Sequence, residues 1–115
     1  MQSLRCTISS KITGTITPAA GWNLQTGSFL RKIGHLCEAY IELTGGTYSS
    51  SAWYTVATLP VGFRPIQYFD AAYLDNASGN GVVDVKFESS GAVQVYKTSA
   101  STSTNIRLHA VYLVD

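Results

Sequence analysis

His35-Leu36-Cys37-Glu38-Ala39-Tyr40-Ile41-Glu42-Leu43 alternates without a slip. Cys37, Ala39, Ile41 and Leu43 share one face, and Leu36, Glu38, Tyr40 and Glu42 share the other. Successive side chains leave a pleated backbone on opposite sides, so this pattern predicts a strand with one buried face. Gly45-Gly46 follows as a turn signal. Cys37 is in phase with the apolar face and is expected as a buried free thiol, the other reading being a bridge to Cys6. Two cysteines are too few for a disulfide framework and are not spaced as zinc ligands.

The same period recurs on both sides. Lys11 to Thr17 sets Ile12, Gly14 and Ile16 against Thr13, Thr15 and Thr17, and Pro18 ends that run. Ala19-Ala20-Gly21 leads to Trp22-Asn23-Leu24, with Trp22 expected to pack at one end of the fold, and Ser28 to Gly34 forms a second run. Downstream, Ser51 to Leu59 is a strand, and the prolines of Pro60-Val61-Gly62-Phe63-Arg64-Pro65 prevent both helix and ladder. Gln67 to Leu74 is the next strand, and Asp75 to Gly81 is a loop by composition. Val82 to Glu88 turns Val83, Val85 and Phe87 inward, and Ser89-Ser90-Gly91 closes a hairpin onto Ala92 to Lys97. Thr98 to Thr104 is a polar loop before a last strand, Asn105 to Val114. Eight or nine short strands with regular turn signals and no helix predict an all-β fold, an antiparallel β-sandwich or jelly-roll-like knob.

Composition agrees. The chain has 115 residues, enough for one core and not two. Only 13% of them are charged and the net charge is +1, against about 25% charged in an average domain. Serine and threonine, 25 residues together, fill the gap. These values exclude a helical bundle, a coiled coil and an electrostatic nucleic-acid binder. No run of about 18 apolar residues predicts a membrane span. Met1 to Ser10 lacks the basic start and apolar run of a signal peptide, so a soluble chain without membrane insertion is expected.

Two strands are apolar on both faces. In Ile106 to Val114 the alternation is clean up to Ala110, after which Val111, Tyr112, Leu113 and Val114 are all apolar. Gln67 to Leu74 also carries large residues on both sides. An antiparallel sandwich normally leaves one face to solvent, so a second buried surface is expected, a subunit interface or a covering loop.

Catalytic chemistry is poorly supplied. There are two histidines, His35 and His109, and seven carboxylates, with no nucleophile elbow, zinc-protease motif, phosphate loop or calcium loop. No enzyme activity, metal or cofactor is expected. Binding chemistry is better supplied. Tyr48, Trp53 and Tyr54 surround a serine-rich loop-to-strand junction, and adjacent Trp53 and Tyr54 point to opposite faces, so one of them reaches the surface. Saccharide sites join an aromatic plate, which stacks on the C–H face of a pyranose, to carboxylates and amides that bond its hydroxyls. By residue type and loop position the candidate ligand-binding residues are Tyr48, Trp53, Tyr54, Asp75, Asn76, Arg107 and His109. Trp53 is the aromatic plate of that reading, and a core or interface residue in the alternative.

The order of features resembles the C-terminal head domains of bacteriophage tail-fibre and baseplate receptor-binding proteins of Gram-positive hosts. The resemblance is carried by Thr15-Ile16-Thr17 with Gly21-Trp22, by Arg31-Lys32-Ile33-Gly34 before the strand from His35, and by Ser90 to Tyr96 with the apolar final strand. Its most specific piece is Ala57-Thr58-Leu59-Pro60-Val61-Gly62-Phe63-Arg64-Pro65. There the prolines fix the backbone, Gly62 supplies a positive φ, Phe63 plugs the core and Arg64 anchors a carbonyl or carboxylate. The resemblance implies a non-catalytic homotrimeric head over residues 12–115 that attaches a virion to a host cell-wall saccharide. It also implies an N-terminal connector over residues 1–11 toward other tail proteins, and assembly in the host cytoplasm. The competing readings are a monomeric carbohydrate-binding module or lectin, which needs an exposed aromatic strip on one sheet face, and a structural tail decoration domain.

Overall fold

A computed structural model describes residues 11–45, 52–75, 81–97 and 105–115. The described chain is all-β and antiparallel, as the alternation predicts. Its strands are β1 (Ile12–Thr13), β2 (Thr17–Pro18), β3 (Asn23–Leu24), β4 (Phe29–Ile33) and β5 (Leu36–Thr44), then β6 (Trp53–Thr58), β7 (Phe69–Asp75), β8 (Gly81–Phe87), β9 (Ala92–Lys97) and β10 (Asn105–Leu113). One sheet runs β1-β4-β5-β10, with β3 on the far end of β5, and the other runs β7-β8-β9-β6-β2. They are joined edge to edge through one register pair among the described residues, Ile106 with Asp75. Folded on that seam, the two sheets form a β-sandwich.

The topology of the second sheet explains the proline-rich element. β7, β8 and β9 are hairpin-linked neighbours, and β6 lies beside β9 instead of beside β7. The arrangement is a Greek key, whose long connection runs from β6 to β7. Pro60 to Pro65 is that connection, a stretch that need not pair. Gly62 has φ +93°, Phe63 is buried, and Arg64 Nε donates to the Leu59 carbonyl at 3.0 Å.

The core lies between the sheets. Cys37, Ala39, Ile41 and Leu43 of β5 are fully buried, as are Val85 and Phe87 of β8, Val93 and Val95 of β9, and Ile106 and Leu108 of β10. Three rings bridge the layers. Phe69 stacks on Phe87 at 5.0 Å, and Tyr112 from the opposite sheet lies 5.6 Å from Phe69 and 5.8 Å from Phe87. The Tyr112 hydroxyl donates to the Phe63 carbonyl at 2.8 Å, satisfying its buried polar end. Cys37 is a buried free thiol whose pKa burial pushes up. Trp22 is buried as expected.

Three expectations need correction. Lys11 to Thr17 is not one strand: β1 and β2 are separated at Gly14 and belong to different sheets. Gly14 still donates its amide to the Leu30 carbonyl of β4 at 2.8 Å, and a Cβ there would lie 2.9 Å from the Phe63 ring, so glycine fits where the chain leaves β4. Ile12 is consequently exposed while Ile16 is buried. Asp75 and Gly81, read as loop ends, pair with each other as the last rung between β7 and β8. His35, read as the first strand residue, stands in the β4–β5 turn, where its Nδ1 lies 3.2 Å from the Val114 carbonyl.

Candidate functional site

Alternation decides which residues each sheet turns outward, and register decides which of them meet. On the second sheet, Trp53 of β6 pairs with Tyr96 of β9, which pairs with Asp84 of β8. The next outward row is Thr55, Gln94, Lys86 and Asp70, running from β6 to β7. Trp53 is 39% exposed and Tyr68, just before β7, is 55% exposed. The Trp53 and Tyr96 rings lie 5.3 Å apart and tilted by 48°. Lys86 Nζ sits 4.4 Å from the Trp53 ring centroid and 6.0 Å from that of Tyr68. Gln94 Nε2 donates to Thr55 Oγ1 at 3.2 Å. Lys86 is also 3.6 Å from Glu88. The result is an aromatic strip of exposed Trp53 and Tyr68 with half-buried Tyr96, and an amide, a hydroxyl and carboxylates stand in the same and adjoining rows.

The lysine matters to the platform. A cation over an indole face is attractive even at an exposed site, by about 0.5–1 kcal/mol. Tyr96 at 5.3 Å is a second contact of the Trp53 ring, and contacts of this kind restrict the rotamers of an exposed side chain.

The outer face of the first sheet is built differently. Its rows are Glu42 with Arg107; Phe29, Tyr40 and His109; Arg31, Glu38 and Val111; and Ile33, Leu36 and Leu113. The upper rows are internally bonded. Arg31 donates to Glu38 Oε1 from Nε at 3.0 Å and from an Nη at 2.8 Å, His109 Nε2 lies 2.7 Å from Glu38 Oε2, and Arg107 Nε is 3.3 Å from Glu42. The lower rows are apolar and open: Ile33, Leu36, Val111 and Leu113 are all exposed. Lys11, Arg31 and Glu38 border a groove of about 420 Å³ floored by Ile33, Leu36 and Val111.

The hydrogen bonds from His109 and Arg31 hold the Glu38 carboxyl below its ordinary pKa of 4.5. A carboxyl whose pKa is lower folded than unfolded stabilises the fold above the unfolded value and stops doing so as pH falls through the folded one. Glu38→Gln is therefore expected to flatten the decline of the melting temperature below about pH 4.5. Parallel acid limbs in melts of the two proteins would show that the network contributes nothing to folding.

The residues proposed from sequence do not form one site. Trp53 is on the exposed strip. Tyr54, its neighbour, turns inward and packs against the core. Arg107 and His109 are on the other sheet and engaged with Glu42 and Glu38, so they are parts of a surface network there. Asp75 belongs to β7, while Tyr48 and Asn76 lie outside the described residues, as does Cys6. Sequence reasoning missed Tyr96, Lys86, Gln94 and Tyr68. Tyr96, Lys86 and Gln94 were visible as outward positions of alternating strands, but only the register between β6, β9 and β8 puts them beside Trp53, and Tyr68 precedes β7 in a segment with no polar phase to orient it. Among the described residues no three His, Cys, Asp or Glu side chains gather as metal ligands, and no helix is long and apolar enough to cross a membrane. No protein-family model matches the chain, and no curated protein matches it in sequence.

Proposed function

We propose that the chain is a phage receptor-binding head that holds a host cell-wall saccharide on the outer face of β6, β8 and β9 and catalyses no reaction. The observation carrying the saccharide reading is the exposed Trp53 beside half-buried Tyr96, with Lys86 over the Trp53 ring and Gln94, Asp84 and Asp70 bordering it. An aromatic plate beside hydrogen-bonding side chains meets both halves of a sugar, its C–H face and its hydroxyl rim. The phage reading rests on the resemblance of the Thr58 to Pro65 element and the segments around it. In that reading the head works as a homotrimer in the virion, joined to other tail proteins through residues 1–11. The open apolar rows of Ile33, Leu36, Val111 and Leu113 are then the contact between copies.

A second reading has its own support. The aromatic strip of Trp53, Tyr96 and Tyr68 is the feature a monomeric carbohydrate-binding module would need. One sample tests both readings. Trp53→Ala is expected to weaken binding to cell-wall saccharide at least tenfold, about 1.4 kcal/mol, with molar mass and melting temperature unchanged. Undiminished binding would remove the saccharide assignment. Light scattering on the parent protein should give three times the chain mass, and a monomer would favour the carbohydrate-binding module.

A further inference from the structure

The charges around Trp53 select among saccharides. Lys86 is the one cation among the described side chains of this face, and it is already used. Its Nζ lies against the Trp53 ring at 4.4 Å and 3.6 Å from the Glu88 carboxylate. Asp84 stands in the same row as Tyr96 and Trp53, and Asp70 stands beside Lys86 in the next. Both aspartates are exposed, and among the described residues neither is in an ion pair. Three carboxylates thus surround the aromatic strip against one lysine.

We infer that this face takes an uncharged saccharide and turns away glycans carrying phosphate or uronate groups. The inference rests on the saccharide reading and adds the ligand's charge to it. Free carboxylates are good acceptors for sugar hydroxyls, and hydrogen bonds to a charged acceptor are the stronger kind. A polyanion stacked on Trp53 would instead bring its own negative groups toward Asp84 and Asp70. Like-charge juxtaposition penalises the wrong partner in this way without adding affinity for the right one. The approximate neutrality of the whole chain, net +1, supplies no broad positive field to offset it. Recognition of the uncharged ligand is therefore expected to depend little on salt, whereas the exclusion of anions, an interaction between exposed charges, weakens as salt screens it.

The test uses the full chain and two probe sets of equal length on a glycan array, followed by calorimetric titration. One set is neutral oligosaccharides, including oligomers of N-acetylglucosamine. The other is anionic, made up of hyaluronan oligomers and glycerol-phosphate polymer. The expected result is binding to members of the neutral set and at least tenfold weaker binding to every anionic probe. The paired substitution Asp70→Asn with Asp84→Asn should narrow that gap about tenfold, and added salt should narrow it in the parent protein. Binding of an anionic probe as tight as any neutral one, through Trp53, would overturn the inference and leave the saccharide reading standing. Absence of binding to both sets would overturn the two together. A gap unchanged in the paired variant would also overturn the inference, because the carboxylates would not be its cause.

Discussion

Replacing Phe87 by Ala is expected to cost about 3–5 kcal/mol of folding stability, the usual range for deleting a fully buried aromatic ring. Phe87 is wholly inaccessible and is the largest such side chain among the described residues. It is the meeting point of the two layers, stacked on Phe69 from β7 and against Tyr112 from β10. The cavity cannot close easily, because all three rings stand on paired strands. A domain of this size has about 5–15 kcal/mol in total, so the variant loses a large share of it. Thermal or denaturant melts measure the change. A loss below about 1 kcal/mol would mean that the sheets repack around the gap.

Gly91→Ala is expected to be nearly as damaging, and for a different reason. Gly91 has φ +98° and is the last of the four residues between β8 and β9. A Cβ there would lie 2.6 Å from the Leu59 carbonyl oxygen and 2.5 Å from Arg64 Nε. Those two atoms are bonded to each other, and the Leu59 amide donates to the Gly91 carbonyl at 2.8 Å. The turn is thus clamped onto the start of the Greek-key connection, and a methyl group would wedge the clamp open. Backbone strain and overpacking each cost roughly 1–3 kcal/mol. Gly34→Ala is the control. Its φ is +59° and nothing lies within 4 Å of the added atom, so only the smaller backbone cost of about 1 kcal/mol applies. Equal melting shifts for the two variants would show that the contact with Leu59 and Arg64 is not what makes Gly91 necessary.

The two sites also show what a linear reading reaches. The inward set of β5 was legible because its alternation is unbroken and has one apolar phase. Gly62, Phe63 and Arg64 were legible because each has a narrow conformational or bonding use. Gly14 misled because the crossing from one sheet to the other follows it, beside a ring 49 residues away in sequence, at Phe63. The candidate surface fared similarly. Trp53 could be found by its chemistry and by having a neighbour that faces the other way. Tyr96 and Lys86 could not be assigned to it, since strand order β8-β9-β6 is not sequence order. Arg107 and His109 looked like ligand groups because Glu42 and Glu38, which engage them, are 65 and 71 residues away.

The seam at Ile106 and Asp75 has a consequence for how such a chain changes over generations. Each sheet's outward rows are separated from the other's by a full core layer. Substitutions around Trp53 therefore do not disturb the packing of Val111 and Leu113 on the opposite side, nor the reverse. In the proposed reading, the outward residues around Trp53 can change one at a time while the apolar rows of the opposite face keep their shape. The architecture divides the molecule into a face free to diversify and a face free to stay the same.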